Sequence, residues 1–384
     1  MRSEAEIIGE LRQVCTSPGY IHVAAYLSWR YNFIFYADEL HPEDCSKGNP
    51  YDVLIRTEIS LLIGLMAQGI IDLQVPDPEI FQSLADRSHE LLSELHNSIL
   101  ADSISPPNPD EGEDGIQKFL EGMSDSMESG QFLKETIFYS AESAYQFQYR
   151  ELGYEKYSSD DQWLLANKGF SVNTARLVLA RMALLQNKKM NDLELSPENI
   201  HEWTVLPAFG FSIEEICADI SCPQDEVKNF IQAFSTSTFP CNETFRAIGD
   251  FNLLAAQPIL QVEGDKFYLL QHYNLLESFY ESPFYWMNAD KRYKDTAAEN
   301  RGEFTEQFSL KRLRDVFGPE HVHANVQIVD SSGKDAGEVD VLVLYADRAI
   351  ILQAKSKKLT AKSRGGDGDA IREDFHEAVQ AAYD

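Results

Sequence analysis

The chain has 384 residues, 43% of them apolar and 25% charged, with 33 Lys and Arg against 62 Asp and Glu for a net charge of −29. This length and composition exclude a predominantly disordered chain and leave room for two or three cores, while so large an anionic excess repels nucleic acid and anionic membranes wherever cations are not gathered locally. They are gathered toward the end: residues 291–384 hold 15 of the basic and 17 of the acidic residues, net −2, leaving −27 on residues 1–290. Cys15, Cys45, Cys217, Cys222 and Cys241 form no CxxC pair, and no His follows Cys217 and Cys222 at finger spacing. Reduced thiols in a cytosol are expected, with neither a disulfide framework nor a zinc site. The opening MRSEAEIIGE has acids where a secretory signal carries cations, so a cytoplasmic protein is expected. The longest apolar stretch, Ile59–Leu73, falls short of the roughly 20 residues that span a bilayer and reads as a core helix.

In chain order, residues 1–101 carry apolar residues at helical spacing, as in Leu54, Ile55, Ile59, Leu62, Ile63 and Met66. Residues 102–115, DSISPPNPDEGEDG, are acidic and Pro-rich and read as a solvated loop. A second helical region, 116–245, has helices over Ile116–Met123, Phe132–Arg150 and about Asp160–Met190, the last divided near Gly169-Phe170-Ser171 with Ser171 as a cap. Residues 211–235 have a helix-turn-helix outline capped by Ser212. Its second helix opens with Asp225 and Glu226, so a packing hairpin without a DNA role is predicted. A connecting segment, 246–290, contains two short strands about Gly264-Asp265 and an aromatic cluster (Phe279, Tyr280, Phe284, Tyr285, Trp286) suited to an interdomain core.

Beyond residue 290 the predicted order is helix (Asn300–Phe317), strand (Val322–Val329), strand (Gly337–Tyr345), strand (Arg348–Ser356), basic loop and helix (Ala370–Asp384). The fold class is therefore α+β: a mostly helical N-terminal region followed by an αβββα module over 291–384. Asp340 heads a run apolar on both faces, as in a central strand, and Gln353 and Lys355, two apart, share a face at the end of the next. A short turn at Ala346-Asp347 makes the strands antiparallel neighbours, bringing Asp340 to Gln353 and Lys355. Glu303 and Glu306, three apart on the helix, share a face. Carboxylates from a helix and a strand with one lysine suit phosphodiester hydrolysis with Mg2+ or Mn2+, because oxygens hold a hard cation and an ammonium orients water or neutralises developing charge. His321 and His323, an H-x-H on one strand face, are read as exposed strand histidines.

RGEFTEQF (301–308), GEVDVLVL (337–344) and IILQAKS (350–356) resemble, in order, the motifs of the PD-(D/E)xK nuclease superfamily, nearest the Mrr-like restriction endonucleases and the NERD domains. The resemblance covers roughly the last quarter of the chain. It implies that Asp340 is the metal-binding aspartate, Lys355 the catalytic lysine, Glu306 the helix glutamate with Glu303 as its substitute, and the Ala354 carbonyl a further ligand. Gln353 stands where many members carry an acid and matches the Mrr-like branch; the lost anionic ligand predicts weaker metal binding, partly offset by Glu338.

Lys355, Lys357, Lys358, Lys362 and Arg364 then place five cations in ten residues without an acid, with Lys357, Lys358, Lys362 and Arg364 expected on phosphates. Gln380 and Tyr383 faintly resemble the Gln…Tyr motif of RecB-like nucleases, and the closing helix reads as unfinished, so a longer gene product is expected. The predicted activity is metal-dependent endonuclease cleavage, of DNA in preference to RNA, in a restriction or antiviral-defence effector. A nuclease fold that binds without cutting and an acidic scaffold are the alternatives. The −27 region is expected to position or restrain the module, to oligomerise or to dock a protein partner, away from membranes.

Overall fold

The computed structural model describes residues 2–32, 54–103, 117, 130–139, 144–193 and 204–380. The expected helix at 116–123 lies outside them except for Gln117, as do most of the acidic loop and Tyr383.

The first core is helical. Helix α1 (Glu4–Cys15) starts at a capping box in which Ser3 and Glu6 satisfy each other's backbone N–H groups. It packs with α2 (Tyr20–Asn32), α3 (Arg56–Met66) and α4 (Pro78–Ser103), and Ile7, Leu11, Ile21, Ile59, Leu62 and Leu91 are buried together. The core helix expected over Ile59–Leu73 stops at Met66, and Ile70 beyond it is 79% exposed.

The expected helix Phe132–Arg150 is two helices, α5 (Gln131–Tyr139) and α6 (Gln146–Tyr157). Helix α7 (Asp161–Lys168) ends on Gly169, whose φ of +74° is a left-handed cap that glycine adopts without steric cost. Ser171 then caps α8 (Val172–Asn191), its hydroxyl accepting from the Thr174 N–H at 3.2 Å. After the short α9 (Leu206–Phe209) and strand β1 (Gly210–Phe211), Ser212 caps α10 (Ile213–Cys217) and α11 (Gln224–Ala233) buries Val227, Phe230 and Ile231. This is the packing hairpin that the acids at its tip predict.

Strand β2 (Ser235–Thr236) and α12 (Leu253–Ala256) lead into β3 (Ile259–Glu263) and β4 (Lys266–Tyr268), which turn about Gly264. These strands form a sheet in the order β1-β4-β3-β2, mixing segments on both sides of residue 246. Side chains alternate along the chain here, so Leu260, Tyr268 and Leu270 enter the first core while Ile259, Phe267 and Leu269 enter a second, which Phe211 of β1 joins. The small sheet is thus the wall between two cores, and the segment over 246–290 supplies its two inner strands, β4 and β3. Helix α13 (His272–Ala289) supplies Phe279 to the second core, edge-on to Phe230 and Phe234, with Tyr280, Phe284 and Trp286 packed against it, whereas Tyr285 of the expected cluster is 60% exposed.

Helix α14 (Lys294–Phe317) begins six residues earlier than expected. Its first turns belong to the second core: Ala297 is buried there, and Tyr293 and Asn300 donate to Asp160 at 2.8 and 2.6 Å. Its last turns cover a second sheet, β5 (Val322–Val329), β6 (Asp335–Tyr345) and β7 (Arg348–Leu352), antiparallel with β6 central. Val341 and Val343 pack on Leu310, Leu313 and Phe317, whereas the opposite face is open, with Leu344 and Ile351 at 47% and 65% exposure. Helices α15 (Ala361–Arg364) and α16 (Gly368–Phe375) and a π turn (His376–Gln380) follow; the Gly366 carbonyl and Ile371 sit against Gly130 at the start of α5. Among the described residues no helix is long and apolar enough to cross a membrane.

Candidate active site

The β6–β7 register, with Val341 opposite Leu352, continues to Asp340 opposite Gln353. Their side chains meet: the Gln353 Nε2 donates to Asp340 Oδ1 at 2.9 Å, and the Ala354 N–H donates to Oδ2 at 2.6 Å. The second bond explains why β7 stops at Leu352, four residues short of the expected end, because a side-chain carboxylate takes an N–H that ladder pairing would otherwise use. Asp340 lies mid-strand and half-buried rather than at the head of β6.

Glu306 is half-buried on α14. Burial first, and then the negative charges of Asp340, Glu338 and Glu303, push its carboxyl above the usual range, while Lys355 acts in the opposite direction. The groups that the sequence places on three separate elements therefore lie close enough for their charges to bear on Glu306. Glu338 is held from β5, across the paired position, by the Gln327 amide. Lys355 and Glu303 are exposed. Ala354 reaches Asp340 through its N–H; its carbonyl has no partner among the described contacts.

Among the described residues no three acidic, His or Cys side chains stand close enough together to hold a metal ion. A two-carboxylate site still fits Mg2+, which keeps several waters and relies on one or two carboxylates plus substrate phosphate. The donor chemistry agrees: both carboxylates offer oxygens, and a dication would offset the burial and the neighbouring negative charges that raise the Glu306 carboxyl. The H-x-H is not a pair on one strand face, because His321 lies in the turn before β5 with its ring edge-on to Tyr345.

The four expected phosphate-binding cations divide into two kinds. Lys357 is paired with Asp374, at 3.3 Å, and with Glu377, and Lys358 with Glu281 of α13. Lys362 and Arg364, on α15, are exposed and carry no ion pair among the described residues. Asp374 organises this segment, accepting from the Thr360 N–H at 2.6 Å and the Ser363 hydroxyl at 2.5 Å, bonds that pull its pKa to about 2. Sequence reasoning misses Asp374 and Glu281. The cations were visible as a local cluster, but their acidic partners come from 17 and 77 positions away along the chain. Comparison with protein-family models, with curated proteins and with solved structures gives no match for this chain.

Proposed function

We propose that the chain is a metal-dependent nuclease of the PD-(D/E)xK kind that hydrolyses phosphodiester bonds, DNA before RNA, and acts in the cytoplasm as a restriction or defence effector. The observation that carries this reading is the Asp340 carboxylate, fixed by Gln353 and Ala354, lying in the same field as Glu306 and Lys355. Asp340 and Glu306 would hold Mg2+ or Mn2+. When bound, such a cation polarises the phosphate and lowers the pKa of its water. Gln353 orients the Asp340 carboxylate through its amide, and Lys355 supplies a mobile positive charge to the attacking water or to the developing phosphorane. Lys362 and Arg364, exposed on α15, contact the phosphodiester backbone.

The test is a cleavage assay on mixed DNA and RNA with Mg2+, Mn2+ or EDTA. Cleavage that requires metal and is lost in both Asp340→Ala and Lys355→Ala supports the assignment; equal cleavage by both folded variants refutes it. A second reading, nucleic-acid binding without cutting, is favoured by the two N–H donors already on Asp340 and by the lack of a third close ligand among the described residues. It predicts salt-sensitive binding that EDTA leaves unchanged, with no cleavage.

A further inference from the structure

Glu281 stands on α13, in the acidic part of the chain, and its carboxylate grips the Lys358 ammonium three residues beyond Lys355. Its surroundings are cationic. Lys156, buried on α6, donates to the Tyr280 carbonyl at 2.8 Å with its amine nitrogen 3.9 Å from the Tyr280 ring centroid. Lys358 lies 5.7 Å from the same ring, and Arg301 of α14 covers Phe284 at 4.2 Å. Glu281, Lys358 and Arg301 all act electrostatically on Lys156, so a single carboxylate faces basic side chains drawn from three segments. The Glu281 side chain is 27% exposed and that of Lys358 47%, so solvent reaches the pair, three residues along the chain from Lys355. A carboxylate among lysine and arginine side chains makes the same charge-assisted bonds as a phosphodiester oxygen.

We propose that Glu281 is an internal stand-in for a backbone phosphate, holding Lys358 away from nucleic acid and so restraining the nuclease module from the acidic region. This rests on the nuclease reading above and names its regulation. A partly exposed ion pair is worth at most about 1 kcal/mol, which corresponds to about fivefold in an equilibrium constant. The restraint is therefore a bias that substrate overcomes as its phosphates displace Glu281.

The experiment measures binding of a labelled mixed-sequence DNA duplex, without divalent metal, over a range of KCl concentrations. It compares the full chain with E281Q, K358A and the double variant, with thermal melts recorded for each. E281Q is expected to bind up to about fivefold more tightly, with the slope of log K against log salt steeper by about 0.9, one extra phosphate contact. In the K358A background the same change is expected to do nothing. Should E281Q unfold, Glu281→Asp keeps the charge near Lys156 while shortening its reach, and the same increase, smaller, is expected. An unchanged affinity in the folded variants, or an equal gain with and without Lys358, overturns the inference. Folded wild-type chain that shows neither salt-sensitive binding here nor metal-dependent cleavage overturns the nuclease reading itself, and the inference with it.

Discussion

Replacing Asp340 by Asn and by Ala separates the structural duty of that side chain from its charge. Both of its oxygens accept N–H groups, at 2.9 Å from Gln353 and 2.6 Å from Ala354. In Asp340→Asn the remaining oxygen keeps the Ala354 N–H, and the new amide faces Gln353, whose own amide turns over to present its oxygen. Two charge-assisted bonds become two neutral ones, a loss of about 1 kcal/mol in all. In Asp340→Ala both donors lose their acceptor. Each unsatisfied donor costs about 1–3 kcal/mol when fully buried, and at this half-buried site, where water reaches part of the surface, the two together cost about 2–3 kcal/mol. Urea unfolding followed by circular dichroism, with a common m value, reads the difference directly. Both variants are expected to lose metal-dependent cleavage by more than about a hundredfold, because neither offers an anionic ligand. Equal destabilisation by Asn and Ala would refute the compensating turn of Gln353, and cleavage retained by Asp340→Asn would refute the carboxylate as the ligand.

Lys355→Ala, at an exposed position, is expected to leave the unfolding midpoint within about 0.5 kcal/mol of wild type while abolishing cleavage and sparing DNA binding, as a gel-shift assay alongside the nuclease assay would show. Glu306 has a raised folded-state pKa, so the folded chain holds its proton to higher pH than the unfolded chain does, and stability falls as pH rises from the ordinary carboxyl range through the raised value. Glu306→Gln should abolish that fall and Mg2+ should reduce it, both read from melting temperatures across pH 4–7 in matched buffers. Lys156 behaves in the opposite sense: burial pushes its ammonium down from 10.5 to about 7, the unfolded chain binds the extra proton between those values, and stability rises with pH across that window. Lys156→Met should remove the slope and stabilise the protein at pH 7 by roughly 1–3 kcal/mol, net of the lost carbonyl bond and ring contact, since the Tyr157 hydroxyl still donates to the Tyr280 carbonyl. A variant less stable than wild type at pH 7 would show that the amine is held charged.

What local pattern encodes, the sequence displays. Ser171 and Ser212 announce helix starts, Gly169 a stop and Gly264 a turn, and the run Val341–Leu344, apolar on both faces, marks a central strand whose register brings Asp340 to Gln353, although only the face of Val341 and Val343 is covered. The four-stranded sheet was hidden because β1 and β2 are two residues long, too short for any periodicity, and because its strands feed apolar side chains to both faces. The end of β7 is not legible because Gln353–Ser356 are compatible with an extended strand, and only the side chain of Asp340, fourteen residues before Ala354, removes the Ala354 N–H from the ladder. The cation count past Lys355 overstated the charge free for phosphate, since Lys357 and Lys358 are already matched by acids.

Helix α14 joins the acidic region to the β5–β7 sheet without an intervening loop, anchored at Asn300 by Asp160 and carrying Glu306 six residues later, about 9 Å along the axis. Such a strut fixes phase as well as distance. One residue inserted between those positions would swing the glutamate by roughly 100° around the helix, away from Asp340, and lift its seat by only about 1.5 Å. Splicing this module onto another scaffold therefore depends less on the length of the joint than on its rotational setting, and shifts by whole turns would be tolerated better than shifts by one or two residues.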